Sequence, residues 1–264
     1  SYDIELEKYY TNAFGQIIGW ERESLDAMTP APLNMAQASV ALVGDNSIFG
    51  FVSPVRGGRY RFSIEQTQGT ASFTTVTADW RRYFAPTKNL TVGIRTVHYG
   101  RYGLSPEEST SDGFGMLRPL FLGYETFIRG YAYESFSASE CSPPGSNSNG
   151  ACMAFNRLQG QQLAVANLEL RVPLVGVEQY GLINFQFVPV ELVAFADAGL
   201  AWDSDNPPVL AFSRSGYERV PVFSTGISAR FNVLGFLILE AYYAYPWQRP
   251  QKSWHWGFNI APGW

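Results

Sequence analysis

Charge is scarce in this sequence. Charged residues make up 16% of its 264 positions, against roughly 25% in ordinary soluble domains. A soluble domain so poor in charge should show strongly apolar core segments, and those are scarce as well. No stretch reads as a membrane-spanning helix. The best one, Phe231 to Trp247, is broken by Asn232, Gly235, Glu240 and Pro246, whereas a spanning helix needs about 20 mostly apolar residues. The net charge of −4 and the lack of a basic patch exclude nucleic acid as a partner. Histidine occurs twice, as His98 and His255, with no evident Ser or Cys partner. No phosphate loop, Gly-x-Ser-x-Gly elbow or zinc-spaced cluster is present. No catalytic residue, metal or cofactor is therefore assigned, and the chain is not read as an enzyme. Ser1 to Glu5 has neither the basic start nor the apolar run of a signal peptide. The chain opens within a strand, as a fragment or processed product would.

Aromatic residues, at 16%, are abundant, and apolar residues recur with period two rather than 3.6. Ser1 to Tyr10 and Gln16 to Glu23 read as strands, and Gln37 to Phe49 as a third. Phe51 to Gly58, with Pro54, Gly57 and Gly58, reads as a short turn. Tyr60, Phe62 and Ile64 alternate with Arg61, Ser63 and Glu65. Strands follow at Ser72 to Phe84, Leu90 to Tyr99, Gln161 to Leu174 and Val190 to Trp202. The last three lie around Phe223–Phe231, Leu237–Tyr243 and Trp254–Ile260. One face of these strands is consistently aliphatic and aromatic, while the other carries Glu, Asp, Arg, Asn and Ser. In a small soluble barrel the apolar side would be the inside. Short connections near Phe51, Pro86 and Asn232 alternate with long ones at Asp26–Met35, Arg101–Gly160 and Asp203–Arg219. Alternating strands of roughly ten residues, with short turns on one rim and long loops on the other, are the pattern of an outer-membrane barrel. A soluble β-sandwich or lipocalin-like barrel is the alternative. The fold class is all-β: an antiparallel transmembrane β-barrel with about 10–12 strands in this chain. All of 1–264 forms one barrel domain.

The loop 101–160 carries Arg129-Gly130-Tyr131, and the next two long strands carry Glu169 and Asp197 on their polar faces. Arg129 is expected to be held inside the barrel by these two carboxylates, because a guanidinium fork matches carboxylate geometry. A solvated loop arginine is the plain alternative. Cys141 and Cys152, with residues 142–151 between them in a Pro/Gly/Ser/Asn-rich stretch, suggest a disulfide and an oxidising compartment. A free thiol pair and a metal site are the other readings, the metal disfavoured because both histidines are remote. Gly226, Gly257 and Gly263 either loosen strand pairing near the end of the sheet or make room for packing.

Together these motifs resemble the BamA/TamA-like superfamily of outer-membrane insertases and translocators, the bacterial surface antigen family. Arg129-Gly130-Tyr131 is similar to its Arg-Gly-aromatic loop signature. Asn167-Leu168-Glu169-Leu170-Arg171 follows, then Phe195-Ala196-Asp197-Ala198-Gly199, similar to Phe-x-Asp-x-Gly, and an aromatic-rich last strand ending in Trp264. The resemblance implies that this is the C-terminal portion of a barrel of about sixteen strands, with loop 101–160 extracellular and folded into the lumen. It implies an assembly signal in Trp254, Trp256, Phe258, Ile260 and Trp264, and it places the Cys141–Cys152 pair where related loops carry a disulfide. The implied location is the bacterial outer membrane. The implied partners are outer-membrane lipids, unfolded outer-membrane or secreted polypeptides, and a periplasmic domain or other subunits. The implied function is insertion or translocation of polypeptides. The alternative is a membrane anchor or structural subunit that holds a periplasmic domain or larger complex.

Overall fold

The computed structural model describes residues 5–11, 17–24, 34–103, 117–137, 140, 152–176, 181–185, 188–213, 218–249 and 252–260. Strands β1 (Glu5–Thr11) and β2 (Ile17–Ser24) pair with each other as a separate antiparallel hairpin. The strands that follow are β3 (Met35–Asp45), β4 (Ile48–Phe49), β5 (Pro54–Gly69), β6 (Phe73–Thr87) and β7 (Leu90–Tyr102). Next come β8 (Leu120–Phe121), β9 (Gln159–Gly160), β10 (Gln162–Gly176), β11 (Ile183–Asn184) and β12 (Val190–Trp202). The last are β13 (Val222–Val233), β14 (Leu237–Pro246) and β15 (His255–Ile260). One large sheet runs in the order β15-β14-β13-β12-β10-β7-β6-β5-β3, each neighbour antiparallel. Among the described residues its two edge strands, β3 and β15, do not pair with each other. The sheet is thus a stretch of barrel wall. Strands β5 to β14 along it are 10–16 residues long, and about 9–11 tilted residues cross a bilayer.

Burial along the strands is inside out. On β10, Leu168 and Leu170 are exposed while Asn167, Glu169 and Arg171 are buried; on β12, Leu192, Ala194 and Ala196 are exposed while Glu191 and Asp197 are buried. Strands β13 and β14 repeat this with exposed Ile227 against buried Ser228 and Arg230, and with Leu237 against Glu240. Water would drive the leucines inward and leave the charges outside. An apolar surround on the outer face and a polar interior account for the opposite arrangement.

The inner face is roofed near the long-loop rim. Leu122, Ile128, Tyr131 and Leu158 from the loop pack against Val97, Leu163, Val165, Ala201 and Val222 of the strands. This small apolar core gives the loop, with little secondary structure of its own among the described residues, burial that helps offset its ordering entropy. The ends of several elements differ from the sequence expectation. Asp45 ends β3, because its carboxylate accepts from the Ser47 N–H (2.9 Å) and hydroxyl, a local turn that competes with the ladder. Pro54 to Gly58, expected as a turn, begins β5 instead, paired with β4 and β6. The connection 177–189 is longer than its neighbours on the same rim.

Candidate functional site: a loop strapped across the inner face

Thr126 to Tyr131 runs transversely over the strands, and side chains and backbone of several strands hold this strap. The Arg95 guanidinium on β7 donates to the Thr126 carbonyl (2.7 Å), and the Asn167 amide on β10 donates to the Phe127 carbonyl (2.7 Å). Arg95 is itself oriented by Asp79 on β6, at 3.1 Å. Loop backbone that found no partner here would lose its hydrogen bonds to water without replacement.

Arg129 then points into the sheet and is buried. Its Nε and Nη2 donate to Asp197 Oδ2 and Oδ1 at 2.9 and 2.8 Å, a forked pair on β12, and its backbone N–H adds a third bond to the same carboxylate (3.2 Å). Its Nη1 lies 2.9 Å from Glu169 on β10 and 3.1 Å from Glu240 on β14. The guanidinium lies over the Phe195 ring, 3.6 Å from the centroid, where a desolvated cation gains about 2 kcal/mol. Burial works against its charge, but Asp197 and Glu169 outweigh that, and its pKa is raised above the ordinary arginine value.

The expected pair of carboxylates proves to be part of a wider ionic layer. Arg230 on β13 forks onto Glu169 at 2.6 and 2.9 Å and reaches Glu240 at 3.2 Å. Arg171 donates to Glu169 at 2.8 Å, and Ser228 donates to Glu240 at 2.6 Å. Beneath this layer the connection from β4 to β5 folds across the inner face from the opposite rim. The Ser53 hydroxyl bonds the Glu191 carboxylate at 2.7 Å, and Arg171 donates to Ser53 and to the Pro54 carbonyl at 3.2 Å each. Glu240, Arg230 and Arg171 share the strand parity that exposed Glu169 and Asp197 as inner-facing, so the signal for them was available.

Gly130 has φ +88°, and a Cβ there would meet Ala244 at 3.3 Å and Ser224 at 3.4 Å. Only glycine combines that conformation with so close an approach. Its carbonyl accepts from Arg249 at 2.8 Å. The Tyr131 hydroxyl donates to the Phe223 carbonyl (3.0 Å) and receives the Gln248 N–H (3.1 Å).

Arg249, in the connection from β14 to β15, is a further buried arginine, and periodicity gave no means of finding it. All of its N–H donors are used: on Gly130, on the Ser135 carbonyl and hydroxyl, and in a fork to Glu140 at 2.8 and 2.9 Å. It also lies over Phe136, 3.9 Å from the centroid. Burial raises the Glu140 carboxyl, but hydrogen bonds from Arg249 and the Ser137 N–H outweigh it, and its pKa is lowered.

Cys152 is disulfide-bonded; its expected partner Cys141 lies outside the described residues. Trp256, Phe258 and Ile260 are exposed on the last strand and Trp254 just before it, with Tyr243 stacked on Trp254 at 5.2 Å and tilted against Trp256 at 4.8 Å. Trp264 lies outside the described residues. Gly226 and Gly257 make room for the rings of Phe195 and Tyr242, which favours packing over loosened pairing; Gly263 is outside the described residues. His98 faces outward, bonded to Tyr102 (2.7 Å) and the Leu163 carbonyl (3.0 Å). Among the described residues no group of His, Cys, Asp and Glu is placed to hold a metal.

No curated protein sequence matches the chain. Among solved structures, the crystal structure of BamA from Haemophilus ducreyi lacking POTRA domains 1–3 is similar, with a TM-score of 0.55 and 16% identity. The match covers 95% of this chain and 44% of that one, so the chain spans less than half of the BamA chain. The model of the Omp85 superfamily domain matches residues 33–263, and the chain therefore belongs to the Omp85 superfamily, the insertase and translocator barrels of the bacterial outer membrane.

Proposed function

We propose that this chain forms the plugged part of an outer-membrane barrel that aids insertion or translocation of polypeptides, and that it does so without catalysing a covalent reaction. The long-loop rim faces outward and the short-turn rim faces the periplasm. Loop 101–160 folds into the lumen, with Arg129, Gly130 and Tyr131 locked onto Asp197 and Glu169, and with Glu240 as a third carboxylate. Cys141 pairs with Cys152 within this loop, and the aromatic last strand serves in the barrel's own assembly. Unfolded outer-membrane or secreted polypeptides are the substrates, lipids surround the wall, and periplasmic domains or other subunits complete the machine.

One observation carries this reading. Arg129 comes from a loop, yet it binds carboxylates on three separate strands, β10, β12 and β14. Plug position and strand arrangement are therefore one network, as a barrel needs if its lumen is to stay sealed while its wall is worked on. An open diffusion pore does not fit a lumen filled by Leu122, Ile128, Tyr131 and Leu158. Depletion of the protein tests the reading: other outer-membrane proteins should fall in abundance and accumulate unfolded. An unchanged outer-membrane proteome, with mislocalised periplasmic partners, would instead identify an anchor.

A further inference from the structure

The inner face holds a second feature that the loop strap leaves untouched. At the short-turn rim a cavity of about 300 Å³ opens between the inner-facing ends of β6, β7, β10 and β12 and the connection from β4 to β5. Val55, Pro173 and Val175 supply apolar wall, and the buried Glu191 lies at its inner end, held by Ser53. Arg56 and Lys88 line it as well and are exposed, which puts them at its mouth. Neither makes an ion pair among the described residues, whereas Arg59, Arg81, Arg95, Arg171 and Arg230 of the inner face are all paired. A rim cation with no ion pair among the described residues, next to accessible apolar surface, is complementary to an apolar group that carries a negative charge beside it.

We propose that this cavity is a binding site for a peptide segment that presents an apolar side chain next to a carboxylate. The apolar side chain enters between Val55 and Val175, and the carboxylate remains at the mouth between Arg56 and Lys88. Glu191 at the inner end repels the carboxylate and so fixes the orientation of entry. A peptide fits better than a bilayer lipid, because the cavity is backed by the buried, inner-facing Ser53, Thr91 and Glu191, on the side of the strands away from the outer, lipid-facing surface. The site is open to the aqueous side, where chains in transit are extended. The inference rests on the proposed orientation of the barrel and not on insertion activity.

The test uses the full chain in phosphatidylethanolamine nanodiscs and an acetylated, amidated pentapeptide with adjacent Phe and Asp at its centre. The readouts are anisotropy of the dye-labelled peptide and acylation of Lys88 followed by mass spectrometry. The peptide should bind and slow Lys88 acylation. Replacing its Asp by Asn, or its Phe by Ser, should weaken binding severalfold. Exchanging Arg56→Glu and Lys88→Glu together should weaken it about tenfold, as two rim charges allow; unboiled gel mobility should be unchanged, which checks folding. Equal binding of the Ser peptide, or no response to the charge exchanges, would overturn the proposal. Equal protection of Lys88 by dihexanoylphosphatidylglycerol would assign the site to lipid headgroups instead. Binding by a protein whose depletion spares other outer-membrane proteins would leave this site standing while the insertion reading fails.

Discussion

Exchanging Arg129→Ala removes one cation from three carboxylates, but the three do not suffer alike. Glu169 keeps Arg171 at 2.8 Å and Arg230 at 2.6 Å, and Glu240 keeps Arg230 and the Ser228 hydroxyl. Asp197 keeps no cation among the described residues, only the Asn167 amide at 2.9 Å and the backbone N–H of residue 129 at 3.2 Å. The loss therefore falls on Asp197, as a buried carboxylate stripped of its cation. Such a break costs roughly 3–5 kcal/mol, which multiplies the population with a displaced loop by more than about a hundred. Adding Asp197→Ala removes the stranded charge and should recover at least about 2 kcal/mol, a coupling within the range seen for contacting pairs. Adding Glu169→Ala should recover nothing, because it takes the carboxylate from Arg171 and leaves Arg230 with Glu240 as its near partner. The temperature at which unboiled gel mobility is lost, with urea titration in lipid vesicles, gives the three differences. A single exchange within about 0.5 kcal/mol of the parent, or two double exchanges that behave alike, would refute the assignment.

Gly130→Val places a β-branched side chain at φ +88° against Ala244 and Ser224 and should cost about 2 kcal/mol, read as a lowered midpoint in the same gel assay; an unchanged midpoint would mean that the backbone turn is not needed. The Glu140–Arg249 fork should be acid-sensitive. The folded carboxyl pKa is lowered, so the contribution is present above the unfolded value of about 4.3 and is lost as pH falls through the folded one. Limited proteolysis of the loop between pH 7 and 3 should show cleavage rising on acidification, and Glu140→Gln should flatten that dependence. Reductant should retard the unboiled protein through the Cys152 disulfide, and Cys152→Ser should lower loop stability by roughly 3 kcal/mol in the loop-entropy view; mobility indifferent to reductant would count against a constrained loop.

The wall was legible because a strand exposes its parity in sequence. Leu168 and Leu170 against Glu169 and Arg171 have one reading once the sign of burial is inverted, and the long strands fall where alternation placed them. Arg129 with Asp197 and Glu169 was legible for the same reason: one loop cation and two inner-facing carboxylates. Parity gives the face of a residue but not its depth along the barrel. Glu240 and Arg230 were therefore visible as inner-facing without being visible as members of the same layer. Arg249 lies in a connection, where no period applies, and its partners Gly130, Ser135 and Glu140 are more than a hundred positions away. The end of β3 was set by the side chain of Asp45, a local hydrogen bond that alternation does not encode.

The ionic layer has a consequence for how the strands find one another. Arg230 and Glu240 face each other directly across β13 and β14, and Asn167 faces Asp197 across β10 and β12. Because side chains alternate with period two, a slip of one residue would turn every charge in the slipped strand toward hydrocarbon. For Arg230 that costs roughly 2–4 kcal/mol near the bilayer midplane, and its partner would be left behind on the other face. A hairpin paired one residue out of step thus loses its ion pairs and carries a charge into lipid at once. The buried charges act as alignment marks: they make the right pairing of β13 with β14 recognisable to the chain itself, before the loop ever arrives to close over them.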